Sequence, residues 1–295
     1  MRFTKMQGLG NDFLVVCGEA PENAAALSAS LCDRHFGVGG DGVIFISPSA
    51  LADCRMRIFN ADGSEAKMCG NGIRCVGKYL YDNGLIQKEQ LTVETLSGVK
   101  KLALRIEDGR VKSVTVDMGP AVLEQRDLSL SQGMGVGTAV SVGNPHLVIF
   151  SKDAEALPLY LWGPRIEQDP RFPGGVNAEF VQVLSPETLR MRVWERGCGV
   201  TMACGTGACA SAFAAVKQGL CPAGKPIEVR LDGGSLFITV DASDNVSMEG
   251  PAVTVFQGES CEKQSFSHTQ FAPLPRTGAE ILQAKPAKTA KEDAD

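Results

Sequence analysis

The sequence predicts a mixed α/β protein of the α+β kind, built as two pseudo-symmetric domains that each pack a mixed sheet on a helix. Three observations carry that prediction. First, the chain repeats itself. Met56-Arg57-Ile58-Phe59-Asn60 returns as Met191-Arg192-Val193-Trp194-Glu195, Cys69-Gly70-Asn71-Gly72 as Cys204-Gly205-Thr206-Gly207, and Gly84-Leu85 as Gly219-Leu220, always 135 residues on (56 to 191, 69 to 204, 84 to 219). Second, short apolar runs of strand type alternate with stretches of helical spacing. Third, 295 residues leave room for two domains of ordinary size.

The elements follow in order. Leu14-Val15-Val16 is a short apolar run that predicts a strand, and Leu147-Val148-Ile149-Phe150 is its counterpart in the second half. Behind each Cys-Gly-x-Gly the spacing turns helical, through Ile73, Val76 and Leu80 and then through Ala208, Ala212 and Val216. Gly84 and Gly219 stand where C-terminal caps belong. Leu91–Thr95, Val111–Asp117, Ile227–Leu231 and Leu236–Asp241 alternate with Gly/Asp turns and predict strands. Weaker echoes relate Gly10-Asn11 to Gly143-Asn144 and Gly119-Pro120-Ala121 to Gly250-Pro251-Ala252. The halves are therefore drawn at residues 1–121 and 122–262, with the active site expected in the cleft between them. Residues 263–295, rich in Ala, Pro, Lys, Thr and Asp, are expected to form a disordered tail.

Composition removes several classes of function. The net charge of −5 supplies no basic field for nucleic acid or an anionic membrane. No apolar run approaches the ~18 residues of a membrane span, and residues 1–13 hold no secretory signal, so a cytoplasmic location is expected. Ten cysteines in a long chain of this pattern are expected to be reduced thiols. No Cys-x-x-Cys occurs, which argues against a zinc ribbon, and no metal is expected. Cys17 and Cys32 lie in apolar stretches and are expected to fill core.

Cys69 and Cys204 stand apart from the rest. Each precedes glycines at the start of a helix, where Gly72 and Gly207 are expected to permit a tight turn and a close ligand. Unpaired N–H groups and the helix dipole favour an anion there, and helix N-termini lower a thiol pKa from its usual ~8.5 toward neutrality. Either cysteine alone is as readily a structural thiol in a turn. The duplication decides between these readings, because a pseudo-two-fold axis brings equivalent residues to face each other across a cleft. Two thiols on opposite faces of one carbon are what a two-base racemisation requires, with one proton shared between them.

At these residues the chain resembles the diaminopimelate epimerase family, over Met1 to about Gly258. The matching motifs are G-L-G-N-D-F (Gly8–Phe13), F-N-A-D-G-S-E (Phe59–Glu65), M-C-G-N-G-I-R-C (Met68–Cys75), G-N-P-H (Gly143–His146), V-N-A-E-F (Val176–Phe180), W-E-R-G (Trp194–Gly197) and A-C-G-T-G-A-C-A (Ala203–Ala210). The resemblance implies a cofactor-free isomerase that interconverts LL- and meso-diaminopimelate, on the route to lysine and peptidoglycan precursor. It further implies a homodimer whose last strand region crosses back to the first half. Cys69 and Cys204 would be the two bases. Gly70-Asn71 and Gly205-Thr206 would hold the reacting carboxylate, while Asn11, Asn60, Asn144, Asn177 and Arg196 position the substrate. Glu195 would take the ammonium group and, with His146, tune the thiols. The chain departs from the family pattern at Val200, Cys198, Gly42 and Phe256, the last at a tyrosine position of the dimer contact. Other readings are a racemase of the same fold acting on proline, hydroxyproline or histidine, and a non-catalytic thiol or metal-binding protein.

The composition of the tail generates one expectation of its own. Truncation after Gln264 should leave activity and melting temperature almost unchanged, because the segment has few apolar anchors and no counterpart in the repeat. A drop of several degrees in a thermal melt would show that it packs on the body.

Overall fold

The computed structural model describes residues 1–131 and 133–260, so the tail expected over 263–295 lies outside the described residues. The first half runs β1 (Arg2–Gly8), β2 (Asn11–Cys17), α1 (Ala24–Cys32), β3 (Gly42–Ser47), β4 (Cys54–Asn60), β5 (Glu65–Ala66), α2 (Gly70–Asp82), β6 (Gln90–Thr95), β7 (Gly98–Glu107) and β8 (Arg110–Pro120). The second half follows with β9 (Val122–Ser129), β10 (Val136–Ser141), β11 (Pro145–Phe150), α3 (Leu159–Glu167), β12 (Asn177–Ser185), β13 (Thr188–Glu195), β14 (Gly199–Val200), α4 (Gly205–Lys217), β15 (Ile227–Leu231), β16 (Gly234–Val240), β17 (Asn245–Gly250) and β18 (Val253–Glu259).

The duplication is visible strand by strand. β2 runs parallel to β3 and β4 parallel to β6, and likewise β11 parallel to β12 and β13 parallel to β15. The remaining neighbours are antiparallel in both halves, as hairpin connections require. The halves join where β8 pairs antiparallel with β17, Val116 opposite Met248. β9 lies beside β10 within the second half, whereas β18 pairs with β1 in the first, Arg2 opposite Glu259.

Each half wraps its sheet around one helix. α2 buries Ile73, Cys75, Val76 and Leu80, and α4 buries almost every residue from Gly205 to Ala215, as a helix apolar on all sides must. Both helices end on a glycine with positive φ, +72° at Gly84 and +71° at Gly219, a conformation that carries little cost without a Cβ. Two helices are not evident from periodicity. α1 is a nine-residue run of mostly Ala and Ser, and α3 carries Pro164 inside it, so neither shows a clean apolar stripe. One expectation is corrected: Cys32 is buried, but Cys17 is exposed, because it is the last residue of β2 and emerges beyond the buried run of Phe13 to Val16.

The β1–β2 turn docks one half on the other. Leu9 and Gly10 both have positive φ, 59° and 87°, the conformation of a two-residue hairpin loop. Leu9 is buried, and its carbonyl lies so close to Gly233 that a Cβ there would come within 2.0 Å of it. Gly233→Ala must therefore push this turn, and Asn11 with it, away from the second half. Overpacking of that kind costs on the order of 1–3 kcal/mol. Gly84→Ala meets open space and carries only the cost of its left-handed conformation, about 1 kcal/mol. Thermal unfolding should show the larger loss for Gly233→Ala; the reverse order would mean that the turn yields easily.

Candidate active site

Two N-caps form the centre of the site. Cys69 caps α2 and Cys204 caps α4, both in extended conformation, with each sulfur accepting the N–H three residues on, from Gly72 at 3.4 Å and from Gly207 at 3.3 Å. The two N-termini abut, since a Cβ built on Gly70 would lie 3.9 Å from the Gly205 Cα. The first amides of a helix have no i−4 carbonyl, so those of Gly70-Asn71 and Gly205-Thr206 have no carbonyl partner within their helices, and that of Asn71 is directed at the Cys69 sulfur.

Gly72 and Gly207 serve a purpose other than the turn expected of them. Both are helical with no positive φ, and they are small because of what lies beneath. A Cβ on Gly72 would sit 3.0 Å from the Ile44 side chain, and one on Gly207 would sit 2.7 Å from Glu179 Oε1. Close packing of each helix on its sheet, rather than backbone freedom, demands glycine at these positions.

Asn71 ties the halves together at this point. Its amide donates to Asn11 Oδ1 and to the Ala203 carbonyl, both at 3.1 Å, and its own Oδ1 accepts from Arg74 at 3.0 Å. Asn11 gives its amide to Asp41 at 2.7 Å, which turns its Oδ1 toward the Cys69 thiol, 3.7 Å away. Asp41 is in turn held by Arg34, which also binds Asp12, so the orientation of Asn11 is anchored by an ion-pair network at the surface.

The second half contributes most of the charge. Glu195 accepts hydrogen bonds from the Thr201 hydroxyl and the Cys204 thiol, and burial pushes its carboxyl above the usual carboxylate range. His146 is fully buried between Glu179, 2.7 Å from Nδ1, and Asn144 Oδ1, 3.0 Å from Nε2. Both ring nitrogens are engaged, so His146 connects to Cys204 through Asn144 and Thr206, whose hydroxyl lies 3.6 Å from the sulfur. Glu179 was not identified from sequence, although it sits in the V-N-A-E-F motif. It is fully buried, its Oε2 has no hydrogen-bond partner, and an acidic residue inside an apolar strand was the available signal.

The other residues singled out from sequence are more peripheral. Asn177 donates to Pro145 O at 3.2 Å and accepts the Arg196 backbone N–H at 2.9 Å, which fixes the loop beside it. The Arg196 guanidinium is exposed and donates to the Gly174 carbonyl at 2.8 Å. Asn60 donates to Ser64 Oγ at 3.0 Å. Gly42 is packed so that a Cβ would meet Phe59 O at 2.6 Å, and no larger side chain fits this backbone. Cys198 is exposed and Val200 half-buried.

The direction of the thiol ionisations corrects a second expectation. Helix N-termini should lower both, yet burial pushes Cys69 up and Cys204 well up. Backbone N–H groups oppose this at both sulfurs, and desolvation outweighs them. At Cys204 the charges of Glu195 and Glu179 add to the rise. Both thiols are thus held toward their protonated forms. Among the described residues no cluster of three His, Cys, Asp or Glu side chains could hold a metal ion.

The family model for diaminopimelate epimerase matches residues 3–124 and 138–255. A diaminopimelate epimerase of Pelotomaculum thermopropionicum is 50% identical over 277 residues, covering 88% of this chain and 98% of the relative. Another, of Desulfovibrio desulfuricans, is 51% identical over 282 residues with the same coverage. Among solved structures, a probable proline racemase from Agrobacterium radiobacter superposes with a TM-score of 0.72 at 16% identity, covering 90% of this chain and 94% of that one. A hydroxyproline epimerase from Agrobacterium vitis gives 0.67 at 18% identity, covering 88% and 90%. At these identities the two structures establish a shared fold, with its two pseudo-symmetric domains.

The charge on Glu179 has a measurable consequence. Removing it in Glu179→Gln should lower the pH at which Cys204 ionises, since that charge raises the thiol, and should leave Cys69 nearly unmoved. The pH profile of thiol alkylation, resolved by peptide, measures both. A Cys204 midpoint that stays put or rises would show that Glu179 acts only by holding His146.

Proposed function

The chain belongs to the diaminopimelate epimerase family, and from that premise we propose how its own residues carry out the interconversion of LL- and meso-diaminopimelate. The observation that supports the mechanism best is the pair of N-capping thiols on abutting helices. The reacting α-carboxylate would lie against the amides of Gly70-Asn71 and Gly205-Thr206, where two helix dipoles converge. The α-carbon would then sit between the sulfurs of Cys69 and Cys204. One sulfur, as thiolate, removes the α-proton; the other, as thiol, delivers a proton from the opposite face. The electron pair left on carbon spreads into the carboxylate, whose growing charge those amides stabilise.

Substrate binding would also supply the ionisation that burial withholds. An ammonium group beside Glu195 compensates the charge that raises Cys204, and Asn144 and Thr206 hold the thiol in place. Arg196, with Asn11, Asn60 and Asn177, would meet the polar remainder of the substrate at the rim. The reading needs no pyridoxal phosphate or other cofactor. A homodimer fits it as well, since among the described residues the pairing of β18 is with β1 and the strand exposes Val253, Val255 and Phe256. No helix among the described residues is long and apolar enough to cross a membrane, which is compatible with a cytoplasmic enzyme.

Cys69→Ala and Cys204→Ala should each lower turnover by at least ~100-fold while leaving the melting temperature close to that of the parent, because neither half-reaction has a spare base. Proton NMR in D₂O, starting from LL- and then from meso-diaminopimelate, follows deuterium entry at the α-carbon. Near-parental exchange in both directions by either folded variant would remove the two-thiol mechanism.

A further inference from the structure

One turn behind Cys69 on α2 lies a positive charge that the mechanism above does not use. Arg74, in the second turn of α2, is 0% exposed and is the largest of the fully buried side chains. Its hydrogen bonds go to Pro251 O, Gly70 O, Asn71 Oδ1 and the Met248 sulfur, all neutral groups. The ionisable groups that act on it are the thiols of Cys75, Cys69 and Cys209. The space is made for it: a Cβ on Gly8 would come 3.0 Å from Nη2, and one on Gly250 would come 3.1 Å from Nε. A cation buried without a counter-charge is costly, and an anion forming nearby offsets that cost.

The duplication shows how unevenly charge is distributed around the pair. At the repeat spacing of 135 residues, Arg74 corresponds to Cys209, so the second half carries no cation there. Glu179 and Glu195 correspond to Ile44 and Asn60, so the first half carries neither carboxylate. Cys69 thus faces Arg74 and Cys75 on its own helix and Glu195 from the other half. Cys204 faces Glu195 and Glu179, with His146 near enough to act on Glu195. Two sulfurs equivalent by symmetry thus differ in their surroundings: at Cys69 the carboxylate of Glu195 is opposed by Arg74, whereas at Cys204 two carboxylates act together.

We propose that Arg74 is a positioning residue whose buried charge decides which thiol ionises, favouring the thiolate at Cys69 while Glu179 and Glu195 keep Cys204 protonated. The proposal rests on the two-thiol reading. Arg74 also holds the Asn71 amide that orients Asn11 Oδ1 toward Cys69, so one side chain sets both field and geometry on that side. The resting enzyme is then poised in one sense, with Cys69 as base and Cys204 as acid. A turnover that begins so leaves the proton on Cys69 and the charge on Cys204. One proton must pass from Cys69 to solvent and one from solvent to Cys204 before the same direction can run again.

Ionisation can be measured apart from catalysis. The substrate-free enzyme is alkylated with iodoacetamide across roughly pH 6 to 10, and each cysteine is quantified by site-resolved mass spectrometry. In the parent, Cys69 should show the lower midpoint. In Arg74→Gln its midpoint should move up by at least ~1 pH unit, about tenfold slower labelling at a fixed lower pH, with Cys204 nearly unmoved. Arg74→Lys should keep the low midpoint. A lower midpoint at Cys204 in the parent, an unmoved Cys69 in Arg74→Gln, or a lysine variant that behaves like glutamine would each overturn the proposal. If the glutamine variant fails to fold, the order in the parent and the lysine variant decide it. Failure of the two-thiol reading shows separately, as turnover retained by Cys69→Ala.

Discussion

Two helices point their N-termini at each other, and most of the architecture keeps them there. Each N-terminus carries roughly half a positive charge, so the meeting is repulsive unless something negative stands between them. The protein brings the ends together by means that do not cancel the field. Asn71 spans the gap from α2 to the Ala203 carbonyl, the Met248 side chain lies against Gly70 and Gly205, and the β8–β17 pairing fixes the sheets behind. The junction therefore has a standing preference for an anion, which a carboxylate can meet.

The same burial that sharpens this preference works against the thiols. A sulfur removed from water ionises with difficulty, and at Cys69 and Cys204 this outweighs the dipoles meant to help. The conflict suits an acid/base pair. Thiols that ionised freely would be exposed to oxidation and alkylation between turnovers. Thiols whose charge depends on a compensating ligand become reactive when there is a proton to remove. Glu195 is placed for such compensation, since it accepts from the Cys204 thiol and lies in the field of both sulfurs.

What could be seen in the sequence was whatever the duplication wrote twice. Cys69 and Cys204, the helices behind them and the glycines that close those helices recur at one spacing, and repetition separates them from eight other cysteines. Residues present in one half alone were harder to find. Glu179 matches an isoleucine in the other half, and Arg74 matches a cysteine, so the comparison that exposed the thiols hid the charges around them. Cys17 was misjudged because an apolar run does not reveal where a strand leaves the core. The sense of the thiol ionisation was beyond local reasoning altogether, since it balances a visible helix start against a burial that only the packed halves create.

The symmetry also breaks in the order of assembly. β9 follows its half's boundary directly and finds β10 a few residues later, but its counterpart β18 is the last strand of the body. The pairing of β18 with β1 brings the Met1 ammonium to the Ser260 carbonyl, 259 residues away in sequence. Contacts so distant carry a high loop-closure entropy and slow the search for the native pairing. On a ribosome the half that emerges first is thus completed last, with β1 presenting an open edge until the end of the body is released. Translation is slow enough for the second half to become ordered in that interval. The domain that holds Cys69 waits, as a nascent chain, for a strand encoded after the domain that holds Cys204.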